Sequence, residues 1–96
     1  MTYEEQLELT DISRVIYDLS EEYFKSSLEM GEIAARSGTA WLEIRKDCKT
    51  DKEADRKWDI TADGKREAYL KYFLKGAEKK LSALRLRARI LTGQGA

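Results

Sequence analysis

The sequence contains no histidine, no proline and a single cysteine, Cys48, among its 96 residues. Without histidine, and with one thiol, the chain lacks the ligand set of a zinc site and the usual base of a catalytic cysteine. One cysteine also excludes an internal disulfide and fits a reducing compartment. Because proline is the residue that most strongly interrupts a helix, its absence permits long unbroken helices.

Long apolar runs are absent as well. No stretch of the sequence approaches the roughly 20 apolar residues that a transmembrane helix needs. Residues 1–5 lack the basic and apolar segments of a secretion signal. These absences predict a soluble protein of the cytoplasm that has no membrane partner.

Charge is balanced overall but divided along the chain. Residues 1–36 contain nine acidic and three basic side chains, a net charge of −6. Residues 64–96 contain two acidic and nine basic side chains, a net charge of +7. An acidic end and a basic end in one chain predict that the two segments attract each other.

Two apolar stripes, with alternating spacings of three and four residues, predict that both ends of the chain are helices with one apolar side. The first stripe consists of Leu9, Ile12, Ile16, Leu19, Tyr23, Met30 and Ile33, and the second of Leu70, Leu74, Ala77, Leu81, Leu84, Ala88 and Leu91. A narrow apolar seam needs another helix to cover it. We therefore expect the acidic helix to pack against the basic helix, either within one chain or swapped between two. Two helices of comparable length joined by a short linker favour an antiparallel arrangement.

Local patterns set the expected helix boundaries. Thr2 with Glu5, and Thr50 with Glu53, have the spacing of a capping box, in which side chains bond the free amides of a first helical turn. Gly38, which follows Ser37 at the end of the first stripe, is typical of a helix stop. These patterns predict three helices, at about 3–36, about 39–49 and about 51–92.

The predicted fold is a single all-α domain over residues 1–96, an antiparallel, coiled-coil-like bundle of two long helices with a shorter one between them. Gly64 either breaks the last helix or is tolerated inside it. Because two seams leave much apolar surface uncovered, we expect a homo-oligomer, with a dimer favoured.

Two further patterns have chemical interpretations that the residues do not complete. Residues 59–64 begin like a calcium-binding loop, but its twelfth position is Leu70 and not the glutamate that completes the coordination. Cys48 lies among Arg45, Lys46 and Lys49, which favour a reactive thiol, yet its spacing from apolar neighbours favours a role as core filler. We expect no catalytic, metal-binding or cofactor-binding residue, and hence a protein that is not an enzyme.

The basic last helix mixes cations with aromatic rings, as nucleic-acid-binding surfaces do. Trp58 lies among charged residues and is expected to be the more accessible of the two tryptophans. The predicted partner-binding residues are Trp58, Lys65, Arg66, Tyr69, Tyr72, Lys75, Lys79, Arg85 and Arg89. The leading interpretation is that they bind another protein. A nucleic-acid-binding accessory protein is the alternative, and a nucleotide sponge that clamps phosphate with Arg and Lys is a distant third.

The second half of the chain has the pattern Ala54-x3-Trp58-x2-Thr61-x2-Gly64, followed by Leu70, Leu74-Lys75, Glu78-Lys79 and Ser82-Ala83-Leu84. Over residues 54–84 this pattern resembles small helical proteins encoded by bacteriophages, most of which are uncharacterised. It includes no catalytic motif, so no residue role transfers from it. The resemblance implies expression in a bacterial host cytoplasm and a role as an accessory protein or inhibitor of a bacterial defence or replication factor.

Overall fold

A computed structural model describes residues 1–93. This part of the chain forms helix α1 (Tyr3–Lys46), helix α2 (Asp51–Asp59) and helix α3 (Ala62–Thr92), and it contains no strand. The predicted all-α class, with two long helices and a short one between them, is confirmed. None of the helices in residues 1–93 is both long and apolar enough to span a membrane.

The described chain groups into two compact units. Unit 1 combines residues 1–25 with the described residues from Leu74 onward, and unit 2 comprises Ser26–Phe73. The single-domain organisation and the dimer expected from the sequence stay predictions.

In unit 1, α1 begins at the predicted capping box. The backbone amide of Glu5 donates to Thr2 Oγ1 at 3.1 Å, and the amide of Thr2 donates to Glu5 Oε1 at 3.2 Å. Hydrogen bonding to Thr2, chiefly to its backbone amide, lowers the pKa of the Glu5 carboxyl group below its usual 4.5. Two of the free amides of the first turn are thereby satisfied, which favours a helix start at Tyr3.

The two helical segments of unit 1 pack antiparallel through the predicted stripes. The buried residues of this unit are Ile12, Ala77, Leu81 and Leu91, all of which belong to the stripes. At one end of the unit Arg87 donates two hydrogen bonds to Glu8, at 2.7 and 3.1 Å. At the other end Tyr23 donates to Glu78 at 2.6 Å. Early α1 therefore pairs with late α3, which is the expected antiparallel arrangement.

Unit 2 has a deeper core, because α2 adds a third helical element to the two long ones. Ile33, Trp58 and Leu70 form this core, with Ile33 1% and Leu70 0% exposed. The partly buried residues packed against it are Met30, Ala40, Trp41 and Ile44. Arg36 donates to Asp63 at 2.7 and 2.9 Å. The earlier α1 residue Glu29 accepts from the later α3 residue Arg66, so the long helices are again antiparallel here.

The predicted boundary between helices 3–36 and 39–49 is wrong, because α1 continues through Ser37 and Gly38 to Lys46. Apolar side chains on both sides of Gly38, including Ile33 and Ile44, pack into the same core. Glycine inside a helix costs only about 1 kcal/mol relative to alanine, which is less than the burial of one large apolar side chain contributes. Tertiary packing therefore holds the helix together where local composition favours a stop.

The short helix is α2, Asp51–Asp59, and not the predicted segment 39–49. It begins at the predicted capping box, where Glu53 N donates to Thr50 Oγ1 at 3.2 Å. The Glu53 carboxylate accepts from the amide of Lys49 at 3.1 Å, which lowers the pKa of Glu53. α2 directs Ala54 and Trp58 into the core of unit 2.

The predicted long helix 51–92 is interrupted at Ile60 and Thr61, slightly before the possible break at Gly64. Thr61 Oγ1 donates to the carbonyl of Trp58 at 2.6 Å and accepts from Gly64 N at 3.0 Å, so Thr61 caps α3. Gly64 lies inside the first turn of α3, at a position that has no room for a larger residue. A Cβ atom at this position would lie 2.0 Å from Trp58 O.

Candidate functional site

The structure reverses the expected roles of the two tryptophans in unit 2. Trp58 is 8% exposed and packs with Ile33 and Leu70, so the expectation that it is the more accessible one is wrong. The charged neighbours of Trp58 in sequence point away from the core, because the helical period separates them from the buried Ala54–Trp58 side of α2. Trp41 is the half-buried tryptophan.

Trp41 forms one wall of a shallow groove in unit 2. The groove has a volume of about 300 Å³ and is lined by Ser37, Gly38, Trp41, Trp58 and Glu67. Trp41 Nε1 donates to Asp55 Oδ1 at 2.8 Å, which fixes the orientation of the indole. Its polar edge is therefore satisfied within the unit.

Gly38 lines this groove, and no side chain occupies the space beside it. A Cβ atom added at Gly38 would meet nothing within 4 Å, so the space beside the α1 backbone is empty. Trp41 and Leu42 lie three and four residues further along α1, on the same side of the helix as Gly38. Leu42 is 58% exposed. Gly38, Trp41 and Leu42 are called the Trp41 surface below.

Trp58 also lines a second groove of unit 2. Its volume is about 540 Å³, and its lining residues are Ala40, Glu43, Ile44, Trp58, Thr61, Ala62 and Asp63. The Arg36 guanidinium, bonded to Asp63, lowers the pKa of that carboxyl group. Because Asp63 already has a cationic partner, this groove offers less free charge to a ligand than its composition suggests.

Four of the predicted partner-binding residues lie on the part of α3 that belongs to unit 2. Arg66 already has partners within the unit. Its Nη2 donates to Glu29 Oε1 at 2.8 Å, and its guanidinium lies 5.0 Å from the Tyr69 ring centroid. This ion pair lowers the pKa of Glu29. Lys65 and Tyr69 are exposed, and Tyr72 is 80% exposed.

The other four predicted partner-binding residues, Lys75, Lys79, Arg85 and Arg89, lie on the part of α3 in unit 1, and all are exposed. Lys75 and Lys79 are four residues apart, as are Arg85 and Arg89, so each pair lies on one side of the helix. Among the described ion pairs of unit 1, Arg87 is the α3 cation that bonds an α1 carboxylate.

Sequence reasoning missed the exposed apolar side chains on the outer sides of the long helices. Examples are Tyr17 and Phe24 on α1 and Leu86 and Ile90 on α3. Their spacings of seven and four residues are helical, so a search for a second apolar stripe in each helix would have found them. The openness of the space beside Gly38 has no such sequence pattern.

Cys48 is buried, as a core filler should be, and its thiol donates to the carbonyl of Ile44 at 3.3 Å. Within residues 1–93, no three or more cysteine or acidic side chains are arranged to hold a metal ion.

Comparison of the chain with protein-family models, with curated proteins and with solved structures found no match.

Proposed function

We propose that this protein is a non-enzymatic binding protein that contacts another protein through the Trp41 surface of unit 2. The observation that carries the proposal is the open groove beside Gly38, walled by Trp41 and bordered by the exposed Leu42. In keeping with the phage-like pattern in residues 54–84, we propose that the partner is a bacterial defence or replication factor in the host cytoplasm.

The chemistry of the Trp41 surface suits a protein partner. Tryptophan is enriched among the residues that dominate binding energy at protein interfaces. The hydrogen bond to Asp55 already fixes the Trp41 ring, so little side-chain freedom is lost when a partner packs against it. Ser37 and Glu67 place polar groups beside an otherwise apolar groove, as at the rims of protein interfaces.

A Gly38→Leu variant tests this proposal. Leucine would fill the groove and would also favour helix over glycine, so binding should fall while stability is kept or increased. Gly76→Leu is the matched control, because Gly76 is a helical glycine of α3 in unit 1 that also has open space beside it. Tagged versions of the wild type and both variants would be recovered from nuclease-treated cells that express the protein naturally.

The expected result is a protein that is recovered with the wild type and with Gly76→Leu and is lost with Gly38→Leu. Binding of the purified partner should then weaken at least tenfold for Gly38→Leu, which corresponds to about 1.4 kcal/mol. Equal recovery with all three baits, or recovery that nuclease treatment abolishes, would contradict the proposal.

Nucleic-acid binding is the second candidate function, and the observation that favours it is the presence of four exposed cations on α3 in unit 1. Phosphate binding releases counterions, so affinity should fall steeply with salt. Lys75→Ala or Arg85→Ala should each reduce the slope of log affinity against log salt by about one. Arg87→Ala is the control, because Glu8 already neutralises Arg87. Absence of any DNA or RNA shift at low salt would remove this candidate.

A further inference from the structure

The outer side of α1 in unit 1 carries an apolar stripe that the packing of the unit leaves uncovered. Tyr3, Leu7, Tyr17 and Phe24 are all exposed, with Tyr17 at 67% and Phe24 at 61%. Steps of four, ten and seven residues keep these four side chains on one side of the helix. The buried seam, represented here by Ile12, lies on the other side. We call Tyr3, Leu7, Tyr17 and Phe24 the α1 stripe.

The outer side of α3 in unit 1 carries a second apolar stripe. Ala83, Leu86 and Ile90 follow each other at three and four residues, and Leu86 and Ile90 are 52% and 54% exposed. The buried residues of this segment, such as Leu81, face the seam instead. We call Ala83, Leu86 and Ile90 the α3 stripe.

Opposite charges border the two stripes. Glu4, Asp11 and Asp18 recur at intervals of seven residues along α1, so they form an acidic row beside the α1 stripe, and this row ends at Lys25. Arg14 and Glu21 lie within the stripe itself, and acidic side chains outnumber basic ones on this side of α1 in unit 1.

The α3 stripe is bordered by the cationic row that includes Lys79 and Arg89. Both rows are exposed. Two apolar stripes of similar character therefore differ in the sign of the charge that accompanies each one.

From this charge complementarity we infer that the α1 stripe is a docking surface for the α3 stripe of a second copy of the same chain. Pairing α1 stripes with each other would oppose acidic rows, and pairing α3 stripes would oppose cationic rows. Pairing an α1 stripe with an α3 stripe packs apolar side chains against each other and places the acidic row opposite the cationic row. The contact is heterologous, because each copy offers two different surfaces, and such contacts continue into rings or filaments.

This inference does not rest on the proposed function, since it concerns a different unit and is tested with purified protein alone. Sedimentation or light scattering at millimolar concentration should give a mass above the 11.1 kDa of one chain. Association should weaken as salt rises, because opposite charges meet across the contact. A single chain mass at that concentration, or association that strengthens with salt as like-charged rows would require, would overturn the inference.

Two double variants separate the surfaces. Tyr17→Ser with Phe24→Ser removes two of the four side chains of the α1 stripe, and Leu86→Ser with Ile90→Ser removes the two large side chains of the α3 stripe. Each variant alone should be monomeric, with helical content by circular dichroism like that of the wild type. A mixture should form a one-to-one complex of twice the chain mass that grows no further, because one intact stripe of each kind remains.

The outcome of mixing is decisive. If either variant still self-associates, or if the mixture stays monomeric, the pairing of α1 stripe with α3 stripe is wrong. Ile60→Ser is the matched control, since Ile60 is an exposed apolar residue of unit 2 that belongs to neither long helix. This variant should assemble like the wild type.

Discussion

Unit 1 and unit 2 are built from the same two long helices, but α2 belongs to unit 2 alone. In unit 2 it brings Trp58 against Ile33 and Leu70, which gives a core whose two largest fully buried side chains are Ile33 and Leu70. In unit 1 two helical segments cover each other only along a seam. One short helix carrying a single tryptophan is therefore enough to turn a two-helix contact into a buried core between three helices.

The same difference explains where apolar surface stays exposed. Two helices can each cover only one side of the other, so the outer sides of unit 1 keep Tyr17, Phe24, Leu86 and Ile90 in solvent. Unit 2 keeps a groove beside Gly38 that its own side chains do not fill. Both units therefore have surface for partners, but the surfaces differ in shape.

Removal of the Trp58 side chain should have the largest effect on the free energy of unfolding. Trp58→Ala is expected to lower the free energy of unfolding by about 3–5 kcal/mol, because it leaves a cavity between Ile33 and Leu70. Leu81→Ala in unit 1 should cost less, since the shallow seam can relax around the smaller side chain. Urea denaturation of both variants measures the difference. An equal or larger loss for Leu81→Ala would show that the seam is packed as tightly as the core.

The next largest effect should come from the close approach at the start of α3. Gly64→Ala places a Cβ atom 2.0 Å from Trp58 O, so the backbone must shift, at an expected cost of about 1–3 kcal/mol. Gly76→Ala is the matched control in unit 1, where open space should allow a gain of about 0.5–1 kcal/mol. Thermal denaturation compares the two. The same sign for both variants would contradict the steric role of Gly64.

Acid should weaken both units through their ion pairs. Hydrogen bonds from Arg87 and Arg66 lower the pKa values of Glu8 and Glu29 in the folded state from their usual 4.5. A carboxyl group whose pKa is lowered in the folded state stabilises the fold at pH values above its unfolded-state pKa. This stabilisation is lost as pH falls through the folded-state pKa. The melting temperature should therefore decrease from about pH 6 to about pH 3. Arg87→Gln should remove the part of this dependence that comes from Glu8, and an unchanged pH profile would refute that assignment.

The smallest expected effect on stability appears at alkaline pH and belongs to unit 1. The hydrogen bond from Tyr23 to Glu78 raises the pKa of the Tyr23 hydroxyl above its usual 10.0. A group whose pKa is raised in the folded state stabilises the fold at pH values below its unfolded-state pKa. The stabilisation disappears as pH rises through the folded-state pKa. Absorbance titration should show a late tyrosine transition that Tyr23→Phe removes. A titration curve unchanged in shape would argue against this bond.

Local patterns predicted much of the backbone. Both capping boxes form, the two stripes face the interior of their units, and Glu8 with Arg87 shows the predicted meeting of acidic and basic flanks. These features succeed because they depend on neighbours within a turn or two, or on a repeated spacing. The candidate site was less accessible to prediction, since it depends on which tryptophan becomes buried.

The amino-acid sequence by itself determined that the chain is helical, where two of its helices begin and which sides of the long helices seek a partner, because capping and periodicity are local properties. Only the tertiary structure decided that α1 passes through Gly38, that Gly64 admits the carbonyl of Trp58, and that Trp58 and not Trp41 fills the core. The reason is that each of these outcomes depends on contacts between segments distant in sequence, whose packing outweighs local preferences of about 1 kcal/mol.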